Sequence, residues 1–256
     1  MSEKIVIGRD GPVFTVGINR PQARNAVDAE SAALLYQAFL DFEADEDAAV
    51  AVLHGIGGAF CAGADLKEVG RGTRRRMGAD ERGPMGPTRM LTAKPVLAAV
   101  AGPAVAGGLE LAIWCDMRIV ERSAYFGVYC RRWGVPLIDG GTIRLPRLVG
   151  AGHAMDMILT GRKVEAEEAL AMGLANRIVE DGTSLEAAVA LGKELAAFPQ
   201  VCLRADRYTA HRQWSLSMED ALRAEGLRGA GALAEEAVTG AARFAAGAGR
   251  HGSFEG

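Results

Sequence analysis

Apolar positions along the chain recur first at strand spacing and then at helix spacing. The opening KIVIGRDGPVFTVGINR sets two apolar runs on either side of Asp10-Gly11. That dipeptide suits the positive dihedrals of a tight hairpin turn, so an antiparallel start is predicted. In DAESAALLYQAFLDFEAD, Leu34, Leu35, Ala38, Phe39 and Phe42 fall at helical spacing behind Asp28, which predicts an aspartate-capped helix with one buried face. AVAVLHGI and PVLAAVAG are short buried strands. Each leads into a glycine-bearing loop and then a helix, a rhythm that predicts crossover units and a largely parallel sheet in an α/β fold.

Between those strands lies EVGRGTRRRMGADERGPMGPTRM, rich in Gly, Pro and Arg and without periodicity. It is expected to form a loop or lid, with the arginines at 74 to 76 on a solvated face. Beyond residue 148 the pattern turns helical. ANRIVE is a last short strand, and after residue 198 only helical segments remain, so a soft boundary is expected there.

Composition narrows the class without naming a chemistry. Hydrophobic residues make up 49% and charged residues 24% of the 256, as in ordinary globular domains. The net charge of -3 gives no global attraction to nucleic acid. Cys61, Cys115, Cys130 and Cys202 form no CxxC pair and no His/Cys cluster, so neither a zinc site nor a disulfide framework is expected. The start lacks a signal-peptide pattern, and no run of about 18 apolar residues could cross a bilayer. A cytoplasmic protein without membrane attachment is the expectation. The sequence lacks GxxxxGK[ST], HExxH and GxSxG, and GAGRHG at 247 to 252 follows no strand and opens no helix. His54, His153, His211 and His251 are isolated from one another.

Two loops carry more than packing. GGAFCAGADL (57 to 66) and VAGPAVAGGLELAIWCD (100 to 116) each follow a buried strand with small residues. Such residues allow close helix and strand packing, and they also let a ligand reach peptide N–H groups near the positive end of a helix dipole. Two convergent donors would suit a developing oxyanion. Glu110 stands in the first turn of the helix predicted after the second loop, among Leu109, Leu111, Ala112 and Ile113. It is either a helix N-terminal charge or a desolvated acid/base, and its apolar surroundings favour the second.

Taken in order, INRPQARNAV, GGAFCAGADL, AVAGPAVAGGLELAIWCDMRI, GVPLIDGGTIRLPRLVG and ILTGRKVEAEEALAMGLANRIV resemble the crotonase, or enoyl-CoA hydratase/isomerase, superfamily across roughly residues 5 to 215. The resemblance implies a spiral of ββα units over 1–198 holding an acyl-CoA site. It also implies a helical oligomerisation region over 199–256, with a homotrimer or dimer of trimers. It further implies that the substrate is a coenzyme A thioester, that no other cofactor or metal is needed, and that the N–H groups of Ala64 and Gly107 form the oxyanion hole. Glu110 takes the place of a catalytic glutamate, and Cys130 and Trp133 fall in the substrate pocket. Arg24, Ala62, Asp65 and Leu66 fall at coenzyme A contacts, although Arg24 could equally be a surface salt-bridge residue.

The family's hydratases use a second glutamate twenty residues after the first, and here that position is Cys130. A thiol is a poor substitute for a carboxylate in positioning water. Asp139 lies close to where dienoyl-CoA isomerase and an aryl-CoA dehalogenase of the superfamily place a catalytic aspartate. It either restores a carboxylate pair with Glu110 or caps the helix that begins at GGTIRL. Cys130 is inert packing unless Arg131 and Arg132 lower its pKa. Enoyl-CoA hydration, isomerisation or hydrolysis using Glu110 and Asp139, and a non-catalytic CoA- or RNA-binding role are the functions to separate. With five lysines and no cluster of them, the chain lacks the lysine-rich helix of RNA-binding relatives.

Overall fold

The computed structural model describes residues 3–72 and 82–249. The arginines at 74 to 76 lie outside them. The chain forms two compact units, Met1–Leu195 and Ala196–Gly256.

The first unit opens with β1 (Ile5–Asp10) and β2 (Val13–Ile18), paired antiparallel across the Asp10-Gly11 turn as expected. Helix α1 (Ala29–Ala44) follows, and the Asp28 side chain accepts the Ser31 N–H at its N-terminus. Its buried stripe is Ala32, Leu35, Ala38, Phe39 and Phe42. Leu34, expected on that face, is 41% exposed; each residue turns the helix by about 100°, and Leu34 falls one step outside the stripe that Leu35 anchors. Next come β3 (Val50–Gly55), the short α2 (Leu66–Gly70), β4 (Val96–Val100), β5 (Pro103–Val105), α3 (Gly107–Trp114), β6 (Met117–Glu121) and β7 (Tyr125–Gly127). The unit continues through α4 (Gly141–Thr160), β8 (Val164–Glu165), α5 (Ala166–Ala171), β9 (Arg177–Val179) and α6 (Ser184–Ala197), which reaches the boundary.

Six strands form one sheet in the order β1-β2-β3-β4-β6-β9, parallel except for the first pair. A smaller sheet runs β5-β7-β8. The large sheet is apolar on both faces, as its Val/Leu/Ala-rich strands require. One face meets α1 through Phe14, Val16, Leu53, Phe39 and Phe42. The other meets α6 through Val13, Val50, Val52, Leu97, Ala188 and Leu191. These layers pack against β3 and β4, and from the ends of those strands the two small-residue loops emerge.

Part of the expected loop or lid is instead core. Residues 83–88 are buried, with a 3-10 turn over Pro87–Arg89. Here Gly and Pro serve to thread an irregular segment through a tight space rather than to expose it.

The second unit comprises α7 (Gln200–Arg212), α8 (Met218–Ala232) and α9 (Val238–Ala245). Glu236 accepts the N–H groups of Val201 and Cys202 and so caps α7 from the opposite end of the unit. Trp214, Leu222, Leu227, Leu233, Val238 and Phe244 are exposed. Among the described residues no helix is long and apolar enough to cross a membrane.

Candidate active site

The two loops meet edge to edge. Cys61 N–H donates to the Pro103 carbonyl and Val105 N–H to the Cys61 carbonyl, while Ala62 N–H donates to Arg24 and Asp65 N–H to Val27. Gly63 N–H is held by the Cys61 sulfur. In the run 60–65 every amide is thus engaged except that of Ala64, which has no acceptor among the described residues. Gly107 is the first residue of α3, and its N–H is likewise without an acceptor among the described residues, as helix starts leave it. A Cβ placed on Gly63 would stand 3.0 Å from Gly107 N, so the two free donors belong to one wall. Just ahead of Gly107, Ala106 adopts φ 54 and ψ -122, a strained conformation for a residue with a side chain and one that clusters at functional sites.

Ala64 and Gly107 line a cavity of about 450 Å³ together with Glu110, Cys130, Trp133 and Asp139. Arg24, Ala62 and Leu66 line it too. Arg24 is exposed and makes no salt bridge among the described residues. Asp65 is not among the lining residues. Its carboxylate pairs with Arg20 at 2.9 Å and accepts the Lys67 N–H, fixing the start of α2. Trp133, also in the lining, is 69% exposed.

Glu110 is only 2% exposed. Its Oε1 accepts two main-chain N–H groups, from Asp139 and Gly141, each at 2.8 Å. Oε2 makes no bond to the protein among the described residues, and the side chain borders the cavity. Burial, followed by the nearby negative charge of Asp139, pushes the carboxyl up to about 7. The apolar first turn of α3 thus holds a carboxyl that exchanges its proton near neutrality.

Asp139 does not cap α4. The N-cap is Gly140, with no side-chain bond, because the Asp139 carboxylate turns to the buried 83–88 segment. There its Oδ1 accepts the Met85 N–H at 2.8 Å and the Thr88 hydroxyl. Asp139 is therefore adjacent to Glu110, but the bond joining them runs from its main-chain N–H. Cys130 is buried, and its thiol is pushed up by burial and by the Glu110 charge. The neighbouring arginines do not activate it. Arg131 donates to the Ile158 carbonyl, and Arg132 donates to Gly161 and lies over the Tyr129 ring. Met85, Thr88, Arg144 and Gly141 were not among the expected site residues. Gly141 and Arg144 lie in the GVPLIDGGTIRLPRLVG stretch without standing out in it, and Met85 and Thr88 lie in no recognisable pattern. Among the described residues no three His, Cys, Asp or Glu side chains are placed to hold a metal ion.

The pH dependence of stability follows from Glu110. Its folded value of about 7 lies above the ordinary 4.5, so the folded state binds the proton more tightly than the unfolded chain does. Its contribution is complete below pH 4.5 and is lost as pH rises through 7. Glu110→Gln, which keeps an acceptor for both N–H groups, is expected to gain on the wild type across that window. The gain is of order 3 kcal/mol at ~1.36 kcal/mol per pH unit. Urea denaturation at pH 5 and pH 8 measures it, and a difference that does not change with pH would contradict the assignment.

Solved structures with the same architecture are numerous. An enoyl-CoA hydratase from Mycobacterium tuberculosis H37Rv superposes with a TM-score of 0.89 at 33% identity, covering 94% of this chain and 95% of that one. Enoyl-CoA hydratase EchA1 from Mycobacterium marinum superposes with a TM-score of 0.88 at 32% identity, over 94% and 95%. The fold is the crotonase fold. The sequence pattern of the enoyl-CoA hydratase/isomerase family matches residues 8–236. Enoyl-CoA hydratase EchA19 of Mycobacterium tuberculosis is 38% identical over 75% of this chain and 74% of its own. Carnitinyl-CoA dehydratase of Salmonella typhi is 36% identical over 76% and 75%. The chain belongs to the enoyl-CoA hydratase/isomerase family, a family of acyl-CoA enzymes.

Proposed function

We propose that this protein binds an α,β-unsaturated acyl-CoA thioester with its carbonyl oxygen on the N–H groups of Ala64 and Gly107, and that Glu110 moves the proton of an added water. The observation that carries this reading is the pair of unspent amides on the same cavity wall as Glu110. Ionised Glu110 takes a proton from water through Oε2, and the hydroxide attacks Cβ. The electron pair of the double bond moves toward the thioester, leaving an enolate oxygen on the two donors. Glu110 then returns the proton to Cα, so that one water has been added and the carboxylate is regenerated. A carboxyl near 7 suits both steps, and Cys130 need not supply a second carboxylate. In this reading Arg24, Ala62 and Leu66, which line the cavity, meet the coenzyme A portion, while Asp65 supports their loop. Cys130 and Trp133 bound the acyl side.

Crotonyl-CoA hydration, followed by loss of the enoyl thioester absorbance, tests this. A wild-type rate no greater than that of Glu110→Ala removes the hydratase reading.

The nearness of Asp139 to Glu110 favours a second reaction on the same oxyanion hole, isomerisation or hydrolysis of the acyl-CoA with Asp139 as partner. Mass spectrometry of products from enoyl, 3-enoyl and β-keto acyl-CoAs separates the two. Full turnover of every accepted substrate by Asp139→Asn excludes the partnership. The second unit, with its exposed apolar side chains, is proposed to assemble the chain into a trimer or dimer of trimers. A cytoplasmic location without nucleic acid or membrane partners completes the reading.

A further inference from the structure

Arg144 lies on the first turn of α4, outside the cavity lining. Its guanidinium is folded back beneath the site. Nη1 donates to the Asp139 carbonyl at 2.9 Å and Nη2 to the Thr88 carbonyl at 2.7 Å. The residue at 140 leaves room for this: a Cβ on Gly140 would stand 2.1 Å from Arg144 Nη1. One planar fork thus ties together two segments that are 51 residues apart in the chain. Those segments are joined again by the Asp139 carboxylate, which holds the Met85 N–H and the Thr88 hydroxyl. The same Asp139 residue presents its N–H to Glu110 Oε1.

We propose that Arg144 is a positioning residue, a brace that fixes the Asp139 main chain and the Thr88 segment so that Glu110 is held with Oε1 anchored and Oε2 toward the substrate. This rests on the reading of Glu110 as the proton carrier. A planar bidentate donor is suited to gripping two carbonyls, which a lysine ammonium on a flexible stem cannot do in the same geometry. Small displacements of an acid/base cost rate steeply, ~10²-fold for about 1 Å. The charge has its own effect. The groups acting on Glu110 are Asp139 and Arg144, and Glu110 in turn acts on Cys130; those acting on Arg144 also include Cys115 and Arg147. Burial and Asp139 raise the Glu110 carboxyl, while the Arg144 charge opposes them. Removing that charge therefore moves Glu110 further up.

The test compares wild type, Glu110→Gln, Arg144→Met and Arg144→Lys in crotonyl-CoA turnover across pH 5 to 9, with acetoacetyl-CoA affinity measured alongside. Arg144→Met is expected to lower kcat by ~10- to 10²-fold, with KM and acetoacetyl-CoA affinity within about threefold. The acidic limb of its pH profile is expected to move to higher pH. Arg144→Lys is expected to keep the limb near its wild-type position while kcat stays low. A merely structural arginine would lower stability, or kcat and affinity together, and leave the limb in place. That result, or a wild-type kcat in Arg144→Met, overturns the brace. If Arg144→Met does not fold, Arg144→Lys decides, and a wild-type kcat there overturns it. A Glu110→Gln variant as active as wild type would instead overturn the reading of the site itself.

Discussion

Glu110→Gln is expected to lower kcat on crotonyl-CoA by ~10²–10⁴-fold, the usual contribution of a positioned acid/base. The substitution keeps the volume and an acceptor for the Asp139 and Gly141 N–H groups, so the loss isolates the proton rather than the packing. KM is expected to change little, because the coenzyme A contacts expected at Arg24, Ala62 and Leu66 lie apart from Glu110 and bind ground state and transition state alike. Initial rates over a range of substrate concentrations give both numbers. Retention of most of the wild-type kcat would mean that some other group, Asp139 first, carries the proton. The wild-type rate should fall below pH 7, where Glu110 becomes protonated and can no longer take a proton from water.

Gly108→Ala is expected to reduce kcat by ~10²–10³-fold, comparable to losing one oxyanion donor. A Cβ at 108 would lie 2.0 Å from the Cys61 carbonyl oxygen, which cannot yield without moving the loop that carries Ala64. That carbonyl is also the acceptor for the Val105 N–H, so the displacement spreads into the chain leading to Gly107. Glu110 lies two residues beyond Gly108 on α3, and its Oε1 remains tied to the Asp139 and Gly141 N–H groups, so the proton carrier is less disturbed than the donors. The loss should appear in kcat with the Glu110-dependent pH limb unmoved. Kinetics of a folded Gly108→Ala protein, with circular dichroism as the control, measure this. A wild-type kcat would show that the distance between the two loops does not matter to the reaction.

Much of the site is written locally in the chain. The strands preceding both loops announce themselves by continuous apolar runs, and the small residues at 57–66 and 100–108 identify the segments whose backbone borders the cavity. Glu110 stands out because an ionisable side chain interrupts an apolar helical turn. What supports it is not local. The bonds to Oε1 come from main-chain N–H groups of residues 29 and 31 positions away, and amides leave no trace in residue identity. Thr88 and Met85 sit in a stretch whose Gly, Pro and Arg content resembles an exposed loop, yet residues 83–88 are buried. Arg144 carries no signal of its role in residue identity, and only the fold brings it to the Asp139 and Thr88 carbonyls. Asp139 is legible as a carboxylate close to Glu110, but its acceptor role toward Met85 and Thr88 depends on a segment more than fifty residues earlier. Leu34 illustrates the converse limit. Periodicity located the helix correctly and still placed one residue on the wrong side of the stripe.

The central claim is that the Ala64 and Gly107 amides bind the thioester oxygen beside Glu110. A crystal structure of the protein with acetoacetyl-CoA tests it most directly. The account requires the thioester oxygen at ~2.7–3.1 Å from both nitrogens, with the Glu110 carboxyl the nearest acid to Cα and Cβ. A thioester carbonyl bound elsewhere in the cavity, with both amides left facing solvent, would contradict it.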